Sequence, residues 1–166
     1  MENLWAPWRI NYIAPQIPQP QVCIFCAYPA DNHDAEHHIL YRGEHCFMML
    51  NLYPYNNGHL MIAPYRHEGT IEKLHTETLA ELMRQAQLAL RALHLAMSPD
   101  GFNIGINQGK VAGAGFADHA HLHIVPRWNG DTNFMPVIAD IKVVPEHLDS
   151  VYQKLKQALE ILKEER

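Results

Sequence analysis

The segment His119-Ala120-His121-Leu122-His123-Ile124-Val125 constrains this chain more than any other. Side chains on a strand alternate between faces, so the three histidines share one face and Ala120, Leu122 and Ile124 share the other. The apolar face needs helices to pack against. The histidine face needs partners, because each imidazole brings two ring nitrogens that must be satisfied. A merely wetted strand gains nothing from histidine over Thr or Lys, so the row points to chemistry. The expected strand runs from His119 to Pro126.

The rest of the chain supplies the cover. Leu79, Leu82, Met83, Ala86, Leu90, Leu93 and Met97 recur at helical spacing and predict a helix over Thr76–Met97. Thr78 with Glu81 offers it a capping box, and Thr76 is a rival cap. A second helix opens at Pro145 and runs to residue 164, with Leu148, Val151, Tyr152, Leu155, Ala158 and Leu162 inward. Strand-like runs fall at His38–Arg42, Cys46–Leu50, His59–Pro64 and Phe102–Asn107, with a short one within Val137–Val144. Pro54 and Asn57-Gly58 mark a turn, so the runs flanking it form a hairpin. Asp31 to His38 reads as a polar surface loop, which would place His33, His37, His38 and His45 at or near the surface. Pro7, Pro15, Pro18 and Pro20 make residues 1–22 an irregular arm, pinned by Trp5, Trp8 and Tyr12. Hairpins around one long helix argue for a single α+β domain over residues 1–166, with an antiparallel sheet of about five strands.

Several classes are disfavoured. Eighteen acidic against 13 basic residues leave a net charge of -5, which is unsuited to nonspecific nucleic-acid binding. No stretch approaches the roughly 20 apolar residues of a membrane span. The opening MENLWAPWRINYIAP lacks a signal-peptide pattern, and three cysteines are too few for a disulfide framework, so a cytoplasmic setting is expected.

The 12 histidines then decide the chemistry. The first and third of the row start about 13 Å apart at about 3.3 Å per residue, too far to share one zinc. At least one must act otherwise, and a neutral imidazole is a competent nucleophile at phosphorus. The glycine-bearing loop from Gly109 to Gly115 could turn backbone N–H groups, those of Gly113 and Gly115 among them, toward a phosphate. Lys110 and Arg127 are the nearby basic residues. Cys23-Ile24-Phe25-Cys26 has metal-knuckle spacing but supplies only two ligands. Two buried, unligated thiols are the alternative, and the proline-rich lead-in argues against a redox pair. Cys46 sits in an apolar run and reads as core.

HAHLHIV resembles the His-φ-His-φ-His-φ-φ signature of the histidine-triad superfamily of nucleotide hydrolases and transferases. NLYPYNNGHLMIAPYRH resembles that family's hairpin, and LWAPWR with VPRWNGDTNFMPV resembles its bacterial diadenosine-tetraphosphate phosphorylase and hydrolase branch. The resemblance implies that His121 attacks the α-phosphorus and forms a nucleotidyl-histidine. It implies that His123 aids the leaving group and that His119 buttresses the site. Asn51 would hold the ribose, Met49 would wall the base pocket, and Asn107 resembles the Asn or Gln before the glycine loop. His59 would support the triad. Many members carry Gln-Ser or Gln-Thr before the first histidine, where this chain has Gly115 and Phe116. By the same resemblance, Cys23, Cys26, His67 and His119 would form a closed, structural zinc site. The implied activity is cleavage of nucleoside phosphoanhydrides, dinucleoside polyphosphates foremost, by a homodimer. Hydrolysis of phosphoramidates or other nucleotide conjugates, and zinc-bearing nucleotide binding without turnover, are the alternatives.

Overall fold

The computed structural model describes residues 22–132 and 146–164. Its elements follow as α1 (Ile24–Asp31), β1 (Ile39–Arg42), β2 (Cys46–Leu50), β3 (Leu60–Pro64), α2 (Thr76–Met97), β4 (Gly101–Ile106), β5 (Leu122–Arg127) and α3 (Leu148–Glu164). The five strands form one antiparallel sheet in the order β1-β2-β3-β5-β4. The expected arm (apart from Val22), the Val137–Val144 strand and Pro145 lie outside the described residues. No helix among the described residues is long and apolar enough to cross a membrane.

The hairpin forms where the turn chemistry placed it, with β2 and β3 in register from Cys46 opposite Pro64 to Leu50 opposite Leu60. Its turn needs a glycine. Gly58 has φ of 72°, and a Cβ there would stand 2.7 Å from Met97 Sδ. Both strands are buried along their whole length because the sheet is covered on two sides. Met48, Leu50, Leu60, Ile62, Leu122 and Ile124 pack under α2 and α3. Ile39, Phe47, Met49, Met61 and Ala63 form a second cluster on Phe25 of α1. The histidine row opens onto that second face.

Four local expectations are corrected. The helix α1 was not foreseen, since IFCAYPAD has no apolar period and contains Pro29. It is held by Phe25, fully buried in the second cluster, and by a turn in which Cys26 and Ala27 both donate to the Cys23 carbonyl at 3.0 Å. The capping box does not form. Thr78 and Glu81 are buried inside α2, and the Glu81 carboxylate accepts from the backbone N–H groups of His45 and Cys46 (3.0 and 3.2 Å). Two amide donors in a tight turn, the Cys46 one buried, hold that carboxylate more firmly than the start of the helix would. The buried stripe of α2 is accordingly rotated, leaving Met83 59% exposed. The surface setting expected for His38 holds only in part. Its side chain tucks against Tyr152 and meets Asp149 at 2.9 Å. Cys46 is core, as expected, and fully buried.

Candidate active site and metal cluster

Only His123 of the histidine row lies on the hydrogen-bonded ladder, opposite Met61 of β3 and Gly105 of β4. His119 and His121 stand in the run-in to β5, where Ala120 N–H donates to the Glu68 carbonyl at 2.7 Å. That bond to a loop replaces the expected ladder, so β5 begins three residues later than the alternation suggested. The facing pattern survives. Leu122 and Ile124 enter the helix-covered core, while the rings of His121 and His123 meet at 4.6 Å on the other side.

Hydrogen bonds fix where each ring carries its proton. The Nδ1–H of His121 donates to the His119 carbonyl at 2.8 Å, so its Nε2 holds the lone pair. His119 Nε2–H donates to the Pro64 carbonyl at 2.8 Å, which leaves the Nδ1 lone pair facing the two cysteines. His59 Nδ1 accepts from the Tyr55 backbone N–H (3.1 Å) and from Asn51 Nδ2 (3.3 Å). Its proton therefore sits on Nε2, which donates to His123 Nδ1 at 2.9 Å. His123 in turn presents an Nε2–H. The Asn51 amide is oriented by its own Oδ1, which accepts from Tyr53 N–H at 2.9 Å. One face of the site thus offers a bare nucleophilic nitrogen beside a hydrogen-bond donor.

Burial keeps these rings uncharged. It lowers the His121 pKa, against the opposing bond to His119, and pushes His119 down to about 4. Burial, with His121 as the lesser cause, also holds His123 at about 4. A histidine in the unfolded chain titrates near 6.5, so the unfolded state binds the extra proton between these values. The stability tied to His123 is full above about 6.5 and is lost as pH falls toward about 4. Urea midpoints should fall across that window, and His123→Gln should flatten the fall. Equal pH dependence in both proteins would count against it.

Other expected residues are placed less directly. Met49 is fully buried in the second cluster. Asn107 follows β4 and is half-buried. Gly113, at φ of 85°, closes a short turn and spends its N–H on the Lys110 carbonyl (3.0 Å), so of the two glycines Gly115 is the better amide donor. Arg127 grips Asp131 (2.6 and 2.9 Å) and Asn103 (2.8 Å), holding the Asp131 carboxyl down at about 2. That arginine is committed to its ion pair, which leaves the exposed Lys110 as the cation of the glycine loop.

Cys23, Cys26, His67 and His119 come together with their ligand atoms all within 4.8 Å. Cys23 Sγ is 3.3 Å from His119 Nδ1, and Cys26 Sγ is 3.3 Å from His67 Nδ1 and 3.7 Å from His119 Nδ1. Zinc–sulfur bonds of about 2.3 Å and zinc–nitrogen bonds of about 2.0–2.1 Å give tetrahedral edges of about 3.3–3.8 Å. The residues therefore fit a metal ion, with a lone pair of His119 already aimed inward. Burial, and then the neighbouring Cys23, push the Cys26 thiol up, a cost that a cation would reverse. Cys23 stands at the N-cap of α1 and Cys26 in its first turn.

Phe25 was missed as a site residue. Its ring lies 4.5 Å from that of His121 at 31°, 5.2 Å from His119 and 5.6 Å from Phe116. The only signal available was its position between two ligands.

Residues 32–130 match the family model described as HIT domain. The chain is 42% identical over 154 residues to the AP-4-A phosphorylase of Mycobacterium tuberculosis strain H37Rv, covering 89% of this chain and 79% of that protein. Among solved structures it is similar to a zinc-bound histidine triad family protein from Mycobacterium smegmatis, with TM-score 0.71 and 30% identity, over 87% of this chain and 97% of the other. It also shares the fold of the Plasmodium falciparum diadenosine triphosphate hydrolase, with TM-score 0.61 and 16% identity, over 78% of each chain.

Proposed function

Since this chain belongs to the HIT domain family, we propose that it cleaves dinucleoside polyphosphates through a covalent nucleotidyl-His121, with phosphate as the preferred acceptor. The observation that carries the reading is the His121 ring, whose Nδ1–H is tied to the His119 carbonyl so that the Nε2 lone pair is available to attack. That lone pair forms the new P–N bond at the α-phosphorus. The electrons of the breaking P–O bond leave with the bridging oxygen. The ring gains positive charge, which the His119 carbonyl stabilises through the Nδ1–H bond. His123 lends its Nε2–H to the departing oxygen as a hydrogen bond, and need not surrender it. A terminal phosphate with a second pKa of about 6 is a competent anionic leaving group near neutrality. Attack by the acceptor on the same phosphorus then breaks the P–N bond and restores His121.

Asn51 and Met49 are assigned to the ribose and the base, and Asn107 and Gly115 to the phosphates. Gly113 shapes the loop. His59 supports the triad through His123. Zinc is the proposed ion at Cys23, Cys26, His67 and His119. It would supply a closed structural tie between the start of α1 and the run-in to β5. The exposed edge strand β4, with Ile104 47% exposed, supports a homodimer in which a second copy covers that edge.

The acceptor is tested by product analysis. Diadenosine tetraphosphate with inorganic phosphate should yield ADP and ATP, and without phosphate AMP and ATP at a lower rate. The similarity to an AP-4-A phosphorylase and the Gly115 N–H, which stands where family members carry a side-chain donor, support phosphate. AMP and ATP with no ADP, at the same rate in both reactions, would make the enzyme a hydrolase.

A further inference from the structure

The Cys23–Cys26 turn does more than close a metal site, because the residue it carries inward is the one that faces the proposed nucleophile. Phe25 has no exposed surface, and its ring lies 4.5 Å from that of His121, tilted by 31°. His123 meets the His121 ring at 67° and 4.6 Å. The one hydrogen bond at Nδ1 leaves the His121 ring free to rock about the N–H···O line, since such bonds tolerate angles well away from linear. A flat aromatic face removes that freedom. Phe116 braces Phe25 edge-on, at a position where a polar residue would give no such support. The cluster reaches His121 by a second route as well. The His119 carbonyl that receives Nδ1–H belongs to the residue whose ring is held by Pro64 and faces both thiols.

We infer that Phe25 is a positioning residue for His121, through which closure of the Cys23–Cys26–His67–His119 cluster sets the rate of the covalent step. The inference rests on the nucleotidyl-His121 reading. It assigns the ring no contact with substrate. Its effect is on where Nε2 points, and a displacement of about 1 Å at a reacting atom can cost about 100-fold in rate.

The test is single-turnover formation of the labelled nucleotidyl-protein by Phe25→Leu, with substrate affinity and bound metal measured on the same samples. Phe47→Leu is the matched control, since Phe47 is equally buried in the same cluster and its ring stacks on Tyr65. Phe25→Leu should slow the covalent step about 10–100-fold with affinity changed less than about twofold. Phe47→Leu should keep the wild-type rate. A wild-type rate in Phe25→Leu, or equal slowing in both variants, overturns the inference. Should Phe25→Leu not fold, chelator-treated wild-type protein replaces it, read by the side-chain NMR resonances of His121 as well as by rate. A shifted resonance with a slowed step supports the coupling, and unchanged values of both overturn it. Failure of the underlying reading looks different, because then either the wild type is not labelled at all or His121→Asn is labelled as well.

Discussion

Replacing His121 by asparagine should lower turnover by about 10⁴-fold or more and abolish covalent labelling by substrate, while nucleotide binding persists. Asparagine is the better choice than alanine for two reasons. Its side-chain amide can still donate to the His119 carbonyl, and it fills more of a site that is only 4% exposed and packed on Phe25. What it lacks is the second ring nitrogen, so no lone pair faces phosphorus. The ground-state contacts assigned to Asn51 and the glycine loop are untouched. His123→Asn should behave differently. It removes one donor to the leaving oxygen, a loss of about 10²–10³-fold for groups of this kind, and labelling should remain detectable. Near-normal turnover in His121→Asn would remove the covalent mechanism altogether.

That these two histidines share a face was legible in the sequence, because alternation alone placed them opposite Leu122 and Ile124. Their proposed division of labour came only from the family resemblance. It depends on which nitrogen carries the proton, and that is set by the His119 carbonyl for one ring and by His59 for the other, 64 residues away in the chain. The four metal-cluster residues were reachable only through family resemblance, since Cys23 and His119 are 96 residues apart. Local pattern failed where tertiary contacts outweighed it. Glu81 left the helix cap for the amides of His45 and Cys46, and α1 formed around Phe25 with no amphipathic period to announce it. Arg127, a candidate phosphate ligand from its place beside the triad, is held by Asp131, a partner four residues on that composition could not single out.

Removing the proposed zinc should produce the largest change in stability. Cys26 is the ligand to remove, because its sulfur touches both His67 and His119 and lies beside Cys23 at the start of α1. Serine keeps the size but replaces thiolate with a hydroxyl, a far poorer zinc ligand. An ion bound only by the folded chain adds about 4.1 kcal/mol when its free concentration is 1,000 times Kd. For a protein of this length each kcal/mol moves Tm by about 2–4 °C, so Cys26→Ser should melt about 8–16 °C below the zinc-loaded wild type. Chelation of the wild type should give a similar fall, reversed by added zinc, whereas zinc should not rescue Cys26→Ser. The metal-free chain should still fold, because the larger core under α2 and α3 contains none of the four ligands. Differential scanning calorimetry with elemental analysis decides the matter. Wild-type protein that carries no metal and keeps its Tm in chelator would leave Cys23, Cys26, His67 and His119 as a cluster without an ion.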